Sequence, residues 1–138
     1  MAKNSTVTTV AAGNDALASW ALAVKASVEA AFADKKMHTQ AYGSPLTFDL
    51  DNGSIQYSAL TGSPQLVISN DEIGRPFTLI FKQDATGSRA PTWFSGIKWA
   101  FNVTPAFSTN ANAYDVFTFI PLAAGSSYLG FAGGLGHA

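Results

Sequence analysis

From Leu46 onward the chain never holds one pattern for long: apolar and polar residues alternate in short runs, and Gly, Pro, Asn or Ser ends each of them. Alternation with a period of two sends every second side chain to one face, which is the signature of a half-buried strand. Leu46, Phe48 and Leu50 alternate, then Ile55 and Tyr57, and "QLVIS", "PFTLIFKQ", "APTWF", "GIKWAF", "DVFTFIPL" and "SSYLGFA" follow. The spacing predicts seven to eight short strands over residues 44–138, folded as a compact antiparallel β-sandwich or small barrel. "DNG" at 51–53 predicts one hairpin turn. "FKQDATGSRAPTWF" predicts a second hairpin, with strands through Phe77, Leu79 and Phe81 and through Thr92 and Trp93. Gly87 supplies the positive φ of its turn, and Asp84 and Arg89 bracket it. The alternation sets Trp93 and Phe94 on opposite faces. The Gly-rich end "GFAGGLGHA" is expected to stay mobile unless a neighbour orders it.

The texture before this is different. From Asn14 to Lys36 there is neither Pro nor Gly, and Ala, the best helix former, is abundant. Asn14 suits the cap, Asp15 the positive end of the dipole, and Lys35 and Lys36 the negative end. One helix is expected over 14–37. Leu17, Ala21, Val24, Val28 and Ala31 step by four, three, four and three, a heptad seam that Trp20 and Phe32 widen. So broad an apolar stripe on a helix marginal by itself in water asks for partners. Either the chain's own β-domain or identical helices would serve, and the small Ala21 and Ala31 favour identical helices in a trimeric coiled-coil neck.

The chemistry of the rest is sparse. Charged residues are 12% of the chain against a usual share of about a quarter. Lys and Arg total 8 against 9 Asp and Glu, a net charge of -1, so the clustered cations that bind nucleic acid or an anionic membrane are missing. There is no cysteine for a disulfide, thiolate site or thiol nucleophile. No apolar run nears the ~18 residues that span a bilayer, and the first residues do not read as a secretion signal, so a soluble protein is expected. His38 and His137 are isolated and expected to be solvated, without metal-ligand spacing or triad partners beside them. Asp49, Asp51, Asp71, Glu72 and Asp84 fall where turn chemistry uses them. Gly130, Gly133, Gly134 and Gly136 do not follow a strand and open a helix, so they do not form a phosphate cradle. No catalytic residue, cofactor or metal is expected.

The run "GRPFTLIFKQDATGSRAPTWFSGIKW", followed by "TPAFSTNANAYDVFTFI" and "YLGFAGG", resembles a module of tailed-bacteriophage virion proteins, chiefly tail fibres. The resemblance spans roughly Gly74 to Gly134. It rests on Gln83, Asp84, Ala85, Thr86, Gly87, Arg89, Trp93, Lys98, Trp99, Pro105, Ser108, Thr109, Asn112, Ala113, Asp115 and Val116. One departure stands out: such modules commonly have a Gly-Gly turn between the K-W strand and the Pro, where this chain reads "AFNVTP".

The resemblance implies a virion structural protein, a homotrimeric short tail fibre held to the tail or baseplate by residues 1–13. Its β-domain would meet the host surface, with a polysaccharide as receptor. Trp93, Trp99 and Tyr128 are the aromatics expected to stack on sugar rings, with burial in the core as the competing reading for each. A capsid decoration protein on the phage head and a polysaccharide depolymerase are the alternative functions.

Overall fold

The computed structural model describes residues 18–28 and 36–138. The chain divides into two units, Met1–Asp34 and Lys35–Ala138. In the first, residues 18–28 are helical and every one of them is exposed in the single chain. Among them are Trp20 and Leu22, 66% and 65% exposed, and Val24 and Val28. Ala21, Val24 and Val28 of the expected seam lie on this helix. Leu17 and Ala31, the caps Asn14, Asp15 and Lys35, and the segment 1–13 lie outside the described residues. A coiled coil is therefore not seen.

The second unit is almost wholly β. Its eight strands are β1 (His38–Thr39), β2 (Leu46–Asp49), β3 (Ile55–Leu60), β4 (Leu66–Ser69), β5 (Phe77–Gln83), β6 (Ile97–Trp99), β7 (Tyr114–Ala123) and β8 (Ser127–His137). Six form one sheet in the order β1-β3-β5-β7-β8-β6, and β2 with β4 form another. Strand β1 precedes residue 44, and His38, half-buried, lies in it.

Strand content follows the alternation, but strand pairing does not. Only β5 with β7 and β7 with β8 are antiparallel, whereas β1 with β3, β2 with β4, β3 with β5 and β6 with β8 are parallel. The antiparallel expectation fails for a physical reason: period two fixes which face a residue takes, not which strand lies beside it. The "DNG" segment is a corner, not a hairpin. Leu50–Asn52 is a 3-10 turn whose start is capped by Asp49 Oδ1 accepting from the Asp51 amide at 2.9 Å. It carries the chain from the two-stranded to the six-stranded sheet, so that Leu46 and Phe48 meet Leu60, Leu79 and Phe81 across one shared core. Phe48 and Phe81 touch edge to face at 5.8 Å.

The second expected hairpin is absent too. After β5 the segment at Thr92 makes a single parallel bridge to Gln65. Trp93 and Phe94 then both turn into the core instead of taking opposite faces, each stacking edge-on against Phe119 at 5.6 and 5.1 Å. The Gly-rich end is ordered as β8, because β7 offers a long antiparallel partner.

Candidate functional site

The turn after β5 is built from its own sequence. Asp84 Oδ1 accepts from the amides of Thr86 and Gly87 at 3.0 and 2.9 Å, and its Oδ2 accepts from Arg89 Nε and Nη2 at 3.0 and 2.8 Å. The Arg89 guanidinium, with those amides, holds the Asp84 carboxyl below the usual carboxylate range, and Asp84 in turn raises Arg89. Gln83 is buried, and its side-chain amide donates to the Arg89 carbonyl at 2.7 Å and accepts from the Arg89 N–H at 2.8 Å. Gly87 has φ +73°, and a Cβ there would strike the Thr109 carbonyl and sit 2.9 Å from the Ala111 amide.

Those last contacts tie the turn to a distant stretch. The Ser88 amide donates to the Thr109 carbonyl at 2.9 Å, and the Asn112 amide to the Asp84 carbonyl at 3.0 Å. Asp115, buried at the start of β7, accepts from the Ser108 amide at 2.8 Å and the Gly136 amide at 2.9 Å. The residues 83–89 and 108–115 therefore make one bonded unit in which every carboxylate oxygen of Asp84 and Asp115 is used structurally. Among the described residues no group of three His, Cys, Asp or Glu could hold a metal.

Of the expected receptor-facing aromatics Tyr128 is buried, and Trp93 and Trp99 are half-buried. Tyr128 is 2% exposed, with its ring against Phe77 and Phe94 and its hydroxyl donating to Asp71 at 2.9 Å. It is a core residue, because β8 turns it toward the shared interior opposite Pro121. Burial, with the carboxylate beside it, pushes its hydroxyl up to about 12. Asp71 also accepts from the Gly125 amide at 2.7 Å, so this acid braces a loop 54 residues away rather than its own turn. Trp93 and Trp99 are half-buried partners in the same aromatic cluster, 5.3 Å apart, and Trp93 stacks on Phe107 at 4.9 Å.

Among the described residues the most exposed aromatic is Phe101, at 98%. It lies in the "AFNVTP" loop, where Phe101 and Asn102 have φ of 54° and 59°. Two successive left-handed residues are the conformation a Gly-Gly turn adopts freely, and a bulky side chain holds it at a cost of about 1–2 kcal/mol. Beside it runs a groove of about 330 Å³ lined by Trp99, Val103, Pro105, Gly130, Phe131 and Ala132. Its surface is apolar, and Val103 is itself 66% exposed.

No described helix is long and apolar enough to cross a membrane. No protein family, curated protein or solved structure matches the chain.

Proposed function

We propose that the chain is a structural protein of a tailed-phage virion, a homotrimeric short tail fibre. Residues 1–13 attach it to the tail or baseplate, the helix forms a trimeric coiled-coil neck, and the β-domain meets the host surface. One observation carries this reading: the residues that bear the resemblance, from Gln83 to Arg89 and from Ser108 to Asp115, are joined to one another by hydrogen bonds as a single structural unit. Residues tied together in that way serve a scaffold, and scaffolds present binding residues on loops. The exposed apolar residues of helix 18–28 support self-association in the same way.

The host contact is assigned to Phe101 and its groove in place of Tyr128. An exposed aromatic ring on a loop whose neighbours Ala100 and Val103 line an apolar groove suits the apolar face of a neutral sugar, and no charged group lines that groove. The test has two arms. Gold-labelled antibody against the chain is located on virions by electron microscopy, and purified protein competes with phage for adsorption to host cells. Label on the tail together with competition supports the fibre. Label on the head replaces it with the decoration protein, and shortening of host glycan by the purified protein replaces it with the depolymerase.

A further inference from the structure

Because Trp93 and Phe94 both turn into the core, the pairing of the segment at 92 with β4 stops after one bridge. The Leu66 N–H donates to the Thr92 carbonyl at 2.9 Å, and the Thr92 N–H to the Pro64 carbonyl at 2.9 Å. Beyond that bridge the two backbones part. A groove of about 280 Å³ opens there, walled by Leu66, Ile68, Phe94, Ser95, Gly125 and Tyr128. Gln65 spans the fork, its side-chain amide donating to the Leu66 and Trp93 carbonyls at 3.2 Å each.

Successive residues of a strand turn their backbone groups to opposite edges. The Gln65 carbonyl accepts from the Leu46 N–H of β2 at 2.9 Å, whereas the N–H of Leu66 points the other way, to Thr92. Val67 therefore faces β2, and the N–H and C=O of Ile68 face the groove, as Leu66 does. β2 is the neighbour of β4 in its sheet, so these two groups of a half-buried residue have no strand partner among the described residues.

We infer that the groove is a peptide-binding site, in which an extended segment of another protein adds as a strand to the free edge of β4. An unpaired main-chain donor and acceptor at a sheet edge are the template for such addition, and the bridge at Thr92 has already begun the ladder. The lining side chains offer less. The Tyr128 hydroxyl is bonded to Asp71, and the amide nitrogen of Gln65 is held by its two carbonyls. A sugar is recognised by side chains matched to its hydroxyls, so main-chain pairing favours a peptide here. No lining residue is charged, and an uncharged segment fits. Its inward side chain is apolar, since the rings of Phe94 and Tyr128, 5.0 Å apart, meet it. With ~4.8 Å between strands, ~3.3 Å of rise and ~10 Å between sheets, each added residue takes about 160 Å³, so the groove seats about two. The site shares no lining residue with the Phe101 groove and is independent of the virion reading.

The experiment is amide hydrogen exchange and nitrogen–proton correlation spectra of the full chain, titrated with the pentapeptide acetyl-Thr-Val-Thr-Val-Thr-amide. In the free chain the Val67 amide should be protected and the Ile68 amide should exchange freely. The peptide should then slow exchange at Ile68 and shift its resonance to saturation. The same peptide N-methylated along its backbone should not, because its main-chain donors are gone. Ser95→Phe, at an exposed position on the groove wall, should fill the groove and abolish the response while the rest of the spectrum stays folded. No saturable change at Ile68 overturns the site. A response that survives both N-methylation and Ser95→Phe overturns it too, since the contact then lies elsewhere. A response to the neutral disaccharide maltose but not to the peptide replaces it with a sugar site. Protection of Ile68 in the free chain also overturns it: in a monomer by light scattering the edge is already paired within the chain, and in an oligomer a second copy occupies it.

Discussion

The side-chain amide of Gln83 closes a ring with the backbone of Arg89, donating to its carbonyl at 2.7 Å and accepting from its N–H at 2.8 Å. A side chain thus replaces the strand partner that the segment after β5 lacks. Gln83→Ala leaves two part-buried backbone groups without these partners, each worth about 1–3 kcal/mol when stranded. The expected outcome is a loss of about 2–4 kcal/mol. It is read as a lower urea midpoint with an unchanged slope. A variant as stable as the parent would mean that water replaces the amide at no cost.

Two glycines with nearly equal φ separate strain from crowding. Gly74 and Gly87 have φ of +75° and +73°, but a Cβ at Gly74 meets nothing within 4 Å while one at Gly87 meets the backbone of 109–111. Gly74→Ala should cost only the left-handed strain, about 1–2 kcal/mol. Gly87→Ala should cost clearly more and Gly87→Val most, because backbone cannot move aside as a flexible side chain can. Equal midpoints for Gly74→Ala and Gly87→Ala would show that the 83–89 turn is not braced by 108–113.

The alkaline limit of stability is set in part by Tyr128. Its folded pKa is raised from 10.0 to about 12, so the neutral hydroxyl is favoured in the fold. The contribution is complete below pH 10, where both states are protonated. It is lost as pH rises from 10 to 12, because the unfolded chain gives up the proton first. Tyr128→Phe should therefore be less stable than the parent at pH 8, through loss of the bond to Asp71, and should decline less steeply between pH 10 and 12. Thermal unfolding at a series of pH values checks the slope.

Strand content was legible because β2, β3, β5 and β7 each bury one face and solvate or half-bury the other. Partners were not, since Leu46 and Phe48 read the same whether β2 lies beside β3 or beside β4. The 92–94 segment failed for another reason. Trp93 and Phe94 are consecutive and both reach the core, which only an irregular backbone permits. In β8 the strand is hidden by Gly130, Gly133, Gly134 and Gly136, which carry no side chain to alternate. Asp84, Gly87 and Arg89 could be placed in one turn from sequence alone, but their link to Ser108–Asp115 is long-range and left no local mark. Phe101 was passed over because one aromatic in a loop has no periodicity.

That residue supplies its own test. Phe101 makes no core contact and holds a left-handed φ of 54°, so Phe101→Gly relieves about 1–2 kcal/mol of strain and adds back a similar cost in glycine entropy. Stability should change by less than about 1 kcal/mol. Adsorption competition should nevertheless fall, because the most exposed aromatic among the described residues is gone. Competition equal to that of the parent would remove Phe101 from the host contact. A large loss of stability would show instead that the ring is covered by a neighbouring subunit.

The helix distinguishes its two coverings through a single side chain. Val24 is 40% exposed on helix 18–28, where an isolated surface substitution changes stability by only about 0.5 kcal/mol. In a three-helix seam, Val24→Asp brings three like charges to one axis with no counter-ion, a penalty of several kcal/mol for each uncompensated charge. The parent should then scatter as three times 14.4 kDa and the variant as 14.4 kDa, with the far-ultraviolet signature of the β-domain unchanged. If the helix instead packs on its own β-domain, parent and variant share the monomer mass and the variant melts lower. A trimer that survives Val24→Asp with the same melting temperature excludes this seam, since no arrangement that buries Val24 among its copies tolerates the charge.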